Sequence, residues 1–357
     1  MRRYLITLGF LFGLILVFKG CKKDAVVVEE PYIPVDPTTY EFDVPVGYPK
    51  IEQPSDNKAT EEGIELGKYL FYYKSLNCVG CHPKSKSFSA QTVLPVEYKG
   101  KIKMRNPMPL VNLAWVDNFA WDGRDSDLET KIHGSIANSV NIPFDTLVPM
   151  LEESTSPEFD KLFADAFGSE EITEEKIKKA LAQFLRTMIA SKTRVHDYMA
   201  GDSSALNTSE ALGFELFTTE KGNCSHCHIH TNKLFTDNSF RNNGLDSVAD
   251  VSEFDDYGYG DVTNVAFDNG KFRSVTLINI GLSAPYMHDG RFQTLDEVLD
   301  HYNSGGKFSP NVDNVINENT DTTGLGLSNT EKQALVDFLN ALTDTAFINN
   351  KAFDSPY

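Results

Sequence analysis

Cations are scarce in this chain: 33 lysines and arginines face 51 aspartates and glutamates, a formal charge of −18 over 357 residues. So acidic a surface argues against nucleic acid and anionic membrane surfaces as partners, because both are bound through clustered cations. It suits a basic partner protein, and equally a plain well-solvated surface. No low-complexity tract occurs, and no apolar run is long enough for a comfortable membrane span. Cysteine is rare, five residues in all, so the place of each one carries weight. What is there otherwise is ordinary, 41% hydrophobic and 24% charged. The length suits two medium domains rather than one.

The longest apolar run lies at the start, from Tyr4 to Phe18, behind Arg2 and Arg3. Gly20-Cys21 ends it, a small residue before a cysteine, where a bacterial lipoprotein signal is cut and the cysteine lipidated. Residues 1–21 therefore read as an export signal with a lipid anchor on Cys21. Plain cleavage and an uncleaved anchor are the alternatives, and Phe18-Lys19 fits a lipoprotein site imperfectly. Residues 22–54 are rich in Pro, Val, Asp and Glu without helical period, and read as a tether.

The other four cysteines fall in two copies of one motif, Asn77-Cys78-Val79-Gly80-Cys81-His82 and Asn223-Cys224-Ser225-His226-Cys227-His228. Cys-x-x-Cys-His attaches c-type haem: the thiols bond to the porphyrin vinyl groups and the histidine supplies the proximal imidazole to iron. Export agrees with this, since such haem is attached outside the cytoplasm. Zinc is the competing use of the motif, and the duplication speaks against it.

The surroundings repeat too. Leu66-Gly67-x-x-Leu70-Phe71 lies twelve residues before Cys78, and Leu212-Gly213-x-x-Leu216-Phe217 twelve before Cys224. Leu110-Val111-Asn112 precedes Trp121-Asp122-Gly123-Arg124 at the interval by which Leu277-Ile278-Asn279 precedes His288-Asp289-Gly290-Arg291. Helices are expected over Ala59–Phe71 and Glu170–Met199, and after the capping pairs Thr294/Glu297 and Ser328/Glu331. Phe272–Ile280 reads as a short strand. The expected fold is mainly α: two cytochrome c-like haem domains from a duplication, 55–203 and 204–345, with a tail over 346–357.

With its paired haem motifs, Trp121-Asp122-Gly123-Arg124 and Pro285-Tyr286-Met287-His288-Asp289-Gly290, the chain resembles the bacterial dihaem cytochrome c peroxidases and MauG from about Pro54 to Leu342. That resemblance implies a peroxidatic N-terminal haem on His82 and an electron-transfer C-terminal haem on His228, with Trp121 between them. It implies reduction of hydrogen peroxide to water with electrons from a one-electron donor such as cytochrome c. It also places an inter-domain calcium on Asn106 and on carbonyls near Ser283 and Pro285.

The second ligand of the C-terminal haem is a methionine in the peroxidases and a tyrosine in MauG, and counting from His288 lands on Tyr302. A phenolate lowers the iron potential and a thioether raises it; Met287 is the rival ligand. At the first haem the family's distal glutamate and glutamine fall on Asn141 and Lys131, and its switchable histidine falls on Tyr98, beside Lys99. Asn141 cannot exchange protons at neutral pH, so His133 is the expected substitute acid–base group. His288 is expected to order the second pocket, and His196, His226 and His230 have no partner visible in sequence. The alternatives are a MauG-like oxidase of a protein substrate, favoured by Tyr302, and a peroxide-inactive electron-transfer haem protein, favoured by Asn141 and Lys131. Whether the chain works as a monomer or a homodimer is not legible in the sequence.

Overall fold

Two glycines decide how the helices cross. The helix Glu61–Tyr72 lies against Glu174–Arg186, and the helix Thr208–Thr218 lies against Asn329–Ala341. A Cβ on Gly67 would sit 2.0 Å from the Ala180 carbonyl oxygen; one on Gly213 would sit 2.0 Å from that of Ala334. Only a bare backbone permits so close a crossing. Beside each crossing stands the same buried aromatic trio, Phe71, Phe88 and Phe184 in the first half and Phe217, Phe235 and Phe338 in the second. The Leu-Gly-x-x-Leu-Phe repeat is thus the signature of one helix pair built twice.

The computed structural model describes residues 32–89, 92–98, 101–140, 142–154, 157–317 and 324–357. Cys21 lies outside them. Residues Pro34–Tyr357 form one compact unit holding both halves of the repeat. The fold is mainly helical, with an antiparallel hairpin of Leu94–Tyr98 and Lys101–Arg105 and a two-residue pairing of Phe240–Arg241 with Phe272–Arg273. No helix among the described residues is long and apolar enough to cross a membrane.

Local chemistry sets the helix starts. Thr60, Thr173, Asn207, Thr294 and Ser328 each accept a backbone N–H through the side chain, and Glu210, Glu297 and Glu331 complete capping boxes. The expected continuous helix over Glu170–Met199 is broken: it runs from Glu174 to Arg186 and resumes as Arg194–Met199. Between them the chain turns aside to bond Asn112, whose N–H donates to Met188 O at 2.9 Å while its side chain bonds both backbone groups of Ala190. The expected strand over Phe272–Ile280 shrinks to Phe272–Arg273. Past it, Ser274 N–H bonds Ser239, Thr276 Oγ bonds Leu234, and Ile280 opens a 3-10 turn.

Two segments read as peripheral pack on the body. The described part of the tether lies down: Thr38 bonds Glu62, Tyr48 Oη lies 3.1 Å from His196 Nε2, and Trp115 Nε1–H donates to Pro49 O. The tail folds back onto the first half. Phe347 and Phe353 are buried against Phe88, Asp354 pairs with Lys84, and Tyr357 Oη donates to Tyr69 O.

Candidate haem sites

Each Cys-x-x-Cys-His begins at an asparagine in the left-handed region, Asn77 at φ 49° and Asn223 at φ 59°. Asparagine tolerates that conformation better than most side chains, and from it Cys78–Cys81 and Cys224–His226 wind into single helical turns. His82 Nδ1–H donates to Phe88 O at 2.9 Å and His228 Nδ1–H to Phe235 O at 3.2 Å. A carbonyl partner fixes the tautomer and leaves Nε2 as the ligating atom. Burial pushes His82 down to about 4 and lowers His228 as well, so both imidazoles are neutral at neutral pH, as iron ligation requires. All four thiols are free, and burial pushes Cys78 and Cys224 up to about 12.

The second site is an open cleft walled by Cys224, Cys227, His228 and apolar side chains such as Leu295 and Leu299. Both rival ligands are in it. Tyr302 Oη and Met287 Sδ lie 3.2 Å and 3.5 Å from one atom, Asn243 Nδ2. Burial raises the Tyr302 phenol to about 12, opposed by the Asn243 amide; a bound ferric ion would replace that proton. His301 Nε2–H donates to the backbone carbonyl of Asn243 at 2.9 Å and fixes the main chain that carries the amide. Two arginines in the cleft wall have Nε atoms that are buried without a partner, Arg241 and Arg273. Among the described residues no carboxylate pairs with Arg273: it bonds Asn238 Oδ1 and Met108 Sδ, and burial lowers it to about 10. An uncompensated buried cation is costly. Arg241 is already paired with Asp237 and Asp313; a haem propionate would supply the anion that Arg273 lacks among the described residues, so the residues present fit the group.

Trp121 joins the halves. It follows the first haem motif in sequence yet lines the second cleft, its Nε1–H donating to Asn106 O at 2.6 Å and its carbonyl accepting Arg273 N–H. Beneath it is a buried ion network. Arg105 bonds Asp122 of the first half and Asp256 of the second at 2.7–2.9 Å, and Arg124 also pairs with Asp122. Burial alone would raise both carboxyls; the guanidinium groups hold them below the usual range. Asn106 Nδ2 donates to Pro285 O at 2.5 Å, while its Oδ1 is buried without a partner. An orphaned amide oxygen among carbonyls, with Ser283 in the same wall, is a donor set that suits calcium. No group of three His, Cys, Asp or Glu able to hold a metal occurs among the described residues.

Around the first haem motif the expectations divide. Asn141 and Lys99 lie outside the described residues, and of Tyr98 only the backbone is described. His133 stands on the solvent side of the helix Leu128–Gly134, its Nδ1 2.8 Å from Glu174 Oε1 and its ring stacked on Phe144. Its place in the repeat explains this, because the matching Asp300 is likewise an exposed residue, paired with Lys332. Lys131 is 3.8 Å from Asp125; burial lowers its ammonium and Asp125 opposes the change. His288 is buried and stacked on Phe272 with centroids 3.5 Å apart. His196 is enclosed by Tyr48, Thr193 and Lys233 O; His226 pairs at the surface with Glu220; His230 has a buried Nδ1 without a partner. Sequence reasoning missed Asn243 and Arg273. Neither sits in a motif, and only the fold brings them to the cleft.

Comparison with known proteins agrees with this geometry. Residues 61–204 match the family model described as di-haem cytochrome c peroxidase. The methylamine utilization protein MauG of Methylorubrum extorquens is 32% identical over 301 residues, covering 82% of this chain and 81% of that one. The cytochrome-c peroxidase IdrP2 of Denitromonas iodatirespirans is 27% identical over 321 residues, covering 81% and 84%. The crystal structure of a MauG-like protein associated with microbial copper homeostasis superposes with a TM-score of 0.73 at 28% identity, covering 89% of this chain and 99% of that one. The chain belongs to the dihaem cytochrome c peroxidase and MauG family.

Proposed function

We propose that the chain is an exported dihaem c-type peroxidase that reduces hydrogen peroxide to water, H₂O₂ + 2 e⁻ + 2 H⁺ → 2 H₂O, with electrons taken singly from a small redox protein such as cytochrome c. One observation carries the reading. The segment Asn112–Ser135 repeats as Asn279–Tyr302, and at the place of Tyr302 the first half has Ser135. The equivalences are structural as well as textual. Asn112 and Asn279 are both left-handed, at φ 59° and 62°; Phe119 bridges Asp125 as Tyr286 bridges Phe292; Gly123 and Gly290 have φ 68° and 69°. A phenol is long enough to reach an iron across the cleft, and a serine hydroxyl is not. A haem held by His228 would thereby be closed on both faces, and one held by His82 would keep one face for peroxide.

Bound haem supplies the iron that exchanges electrons with peroxide and donor. The protein does the rest. Cys78, Cys81 and His82 would hold the first group, Cys224, Cys227, His228 and Tyr302 the second, and Arg273 would offer charge to a propionate. Trp121 places a ring of low ionisation energy where the halves meet. Asn106, with carbonyls at Ser283 and Pro285, would hold a calcium ion that fixes the same junction. Export and lipidation at Cys21 put the protein where small redox proteins and peroxide are met.

A second reading, a MauG-like oxidase of a protein substrate, is favoured by Tyr302 and by the likeness to MauG. Stopped-flow mixing of the haem-loaded protein with peroxide and reduced cytochrome c separates the readings. Rapid donor oxidation supports the peroxidase. Fast reaction with peroxide but none with the donor favours the oxidase, and no reaction at all leaves an electron carrier.

A further inference from the structure

We infer that Phe347 and His196 are positioning residues for the histidines of the two haem motifs, each supplied by the opposite half of the chain. The inference rests on haem attachment at His82 and His228, and holds whether or not peroxide is reduced. The carbonyls that orient these histidines belong to Phe88 and Phe235, and both phenylalanines stand in the left-handed region, at φ 55° and 53°. A bulky side chain rarely adopts that conformation, and it persists only where the surroundings fix it. Part of that fixing comes from across the molecule. Phe347 meets Phe88 edge-on with centroids 5.9 Å apart at 74°, and His196 meets Phe235 at 5.9 Å and 75°.

The two braces are one element used twice and exchanged between the halves. Each helix Glu174–Arg186 and Asn329–Ala341 is followed by a short one, Arg194–Met199 and Thr345–Ile348. Thr193 caps the first and Asp344 the second, and His196 and Phe347 are each the third residue inside. The short helix of the first half reaches the second motif, and that of the second half reaches the first. Further bonds tighten each grip. Asn279 of the second half donates to Ser87 Oγ at 2.7 Å, and Ser87 is itself left-handed at φ 55°. Past Phe347 the chain adds Phe353 to the Phe88 cluster, and Lys84 Nζ donates to Asn350 O at 2.7 Å. On the other side His196 Nε2–H donates to Lys233 O at 3.0 Å, and Lys233 is left-handed at φ 63°. A carbonyl held on Nδ1–H raises the basicity of the imidazole and favours ferric iron, so slackening one brace should raise the potential of one haem.

The test is a redox titration that resolves both haems of the loaded protein, for wild type, Phe347→Ala, Phe347→Leu, His196→Ala and His196→Phe. Phe347→Ala should raise the reduced-to-oxidised ratio of one haem at a fixed potential by about 10-fold and leave the other unmoved. His196→Ala should raise the ratio of the other haem and spare the first. The milder variants keep bulk or ring: Phe347→Leu and His196→Phe should shift the same haems by less. If Phe347→Ala fails to fold, the Leu variant carries the comparison. General loosening of the fold would move both potentials together, and that outcome would overturn the inference. So would two unmoved potentials, or both variants acting on the same haem. No peroxide enters the titration, so loss of the peroxidase reading leaves the braces standing.

Discussion

The two haem sites begin as copies and end as opposites. Both start from an asparagine turn, both orient the histidine with a phenylalanine carbonyl, and both sit against a helix pair crossing at a glycine. The difference is concentrated on one helix face of each half. The second carries Val298 and Tyr302 into a cleft where Asn243 holds the phenol; the first carries Lys131 and Ser135. Duplication preserved the frame that would attach haem, and the proposed division of labour rests on substitution on one face.

The largest effect is expected from erasing the difference. Ser135→Tyr should put a phenol opposite His82, give the first haem the spectrum of the second and abolish its reaction with cyanide and peroxide. A variant that still binds cyanide normally would show that the two helix faces are not equivalent. Next is the buried ion network between the halves. Arg105→Leu leaves Asp122 and Asp256 without their guanidinium, at a cost of about 3–5 kcal/mol measured by denaturant unfolding. Both carboxyls are held below their ordinary values. Their contribution is therefore complete above the usual carboxylate range and fades as pH falls through the lowered values. Melting curves of Arg105→Leu should accordingly lose part of the acid-side decline seen in wild type.

The shared frame can be probed symmetrically. Gly67→Ala and Gly213→Ala should each destabilise by about 1–3 kcal/mol, because a methyl meets a backbone carbonyl in both halves; a much smaller cost for either would mean its crossing relaxes. Tyr302→Phe should alter only the low-spin haem and raise its potential, and redox titration of both haems checks this. An unchanged spectrum would pass the ligand role to Met287. The smallest effect belongs to His133→Ala. Its side chain sits at the surface on Glu174, so peroxide kinetics should be unchanged and stability should move by no more than about 0.5 kcal/mol.

The frame was legible in the sequence because it is local. Asparagine turns, haem cysteines and helix caps are each set by residues a few positions apart, and the glycines of the two crossings recur at one fixed interval before the haem motifs. The break between Arg186 and Arg194 was hidden because its cause, Asn112, lies far away in sequence. Asn243 and Arg273 were hidden for the same reason. The tail looked peripheral since two phenylalanines without helical period give no sign of the core that receives them. His133 looked chemical because a histidine near a vacant acid–base position invites that role; the helix turns it outward.

The central claim is that one haem is open and the other closed, and electron paramagnetic resonance of the ferric protein before and after one equivalent of cyanide tests it most directly. The account predicts one high-spin and one low-spin signal at rest, with cyanide converting the high-spin signal alone. Two low-spin signals that ignore cyanide, or two haems that both bind it, would contradict the claim.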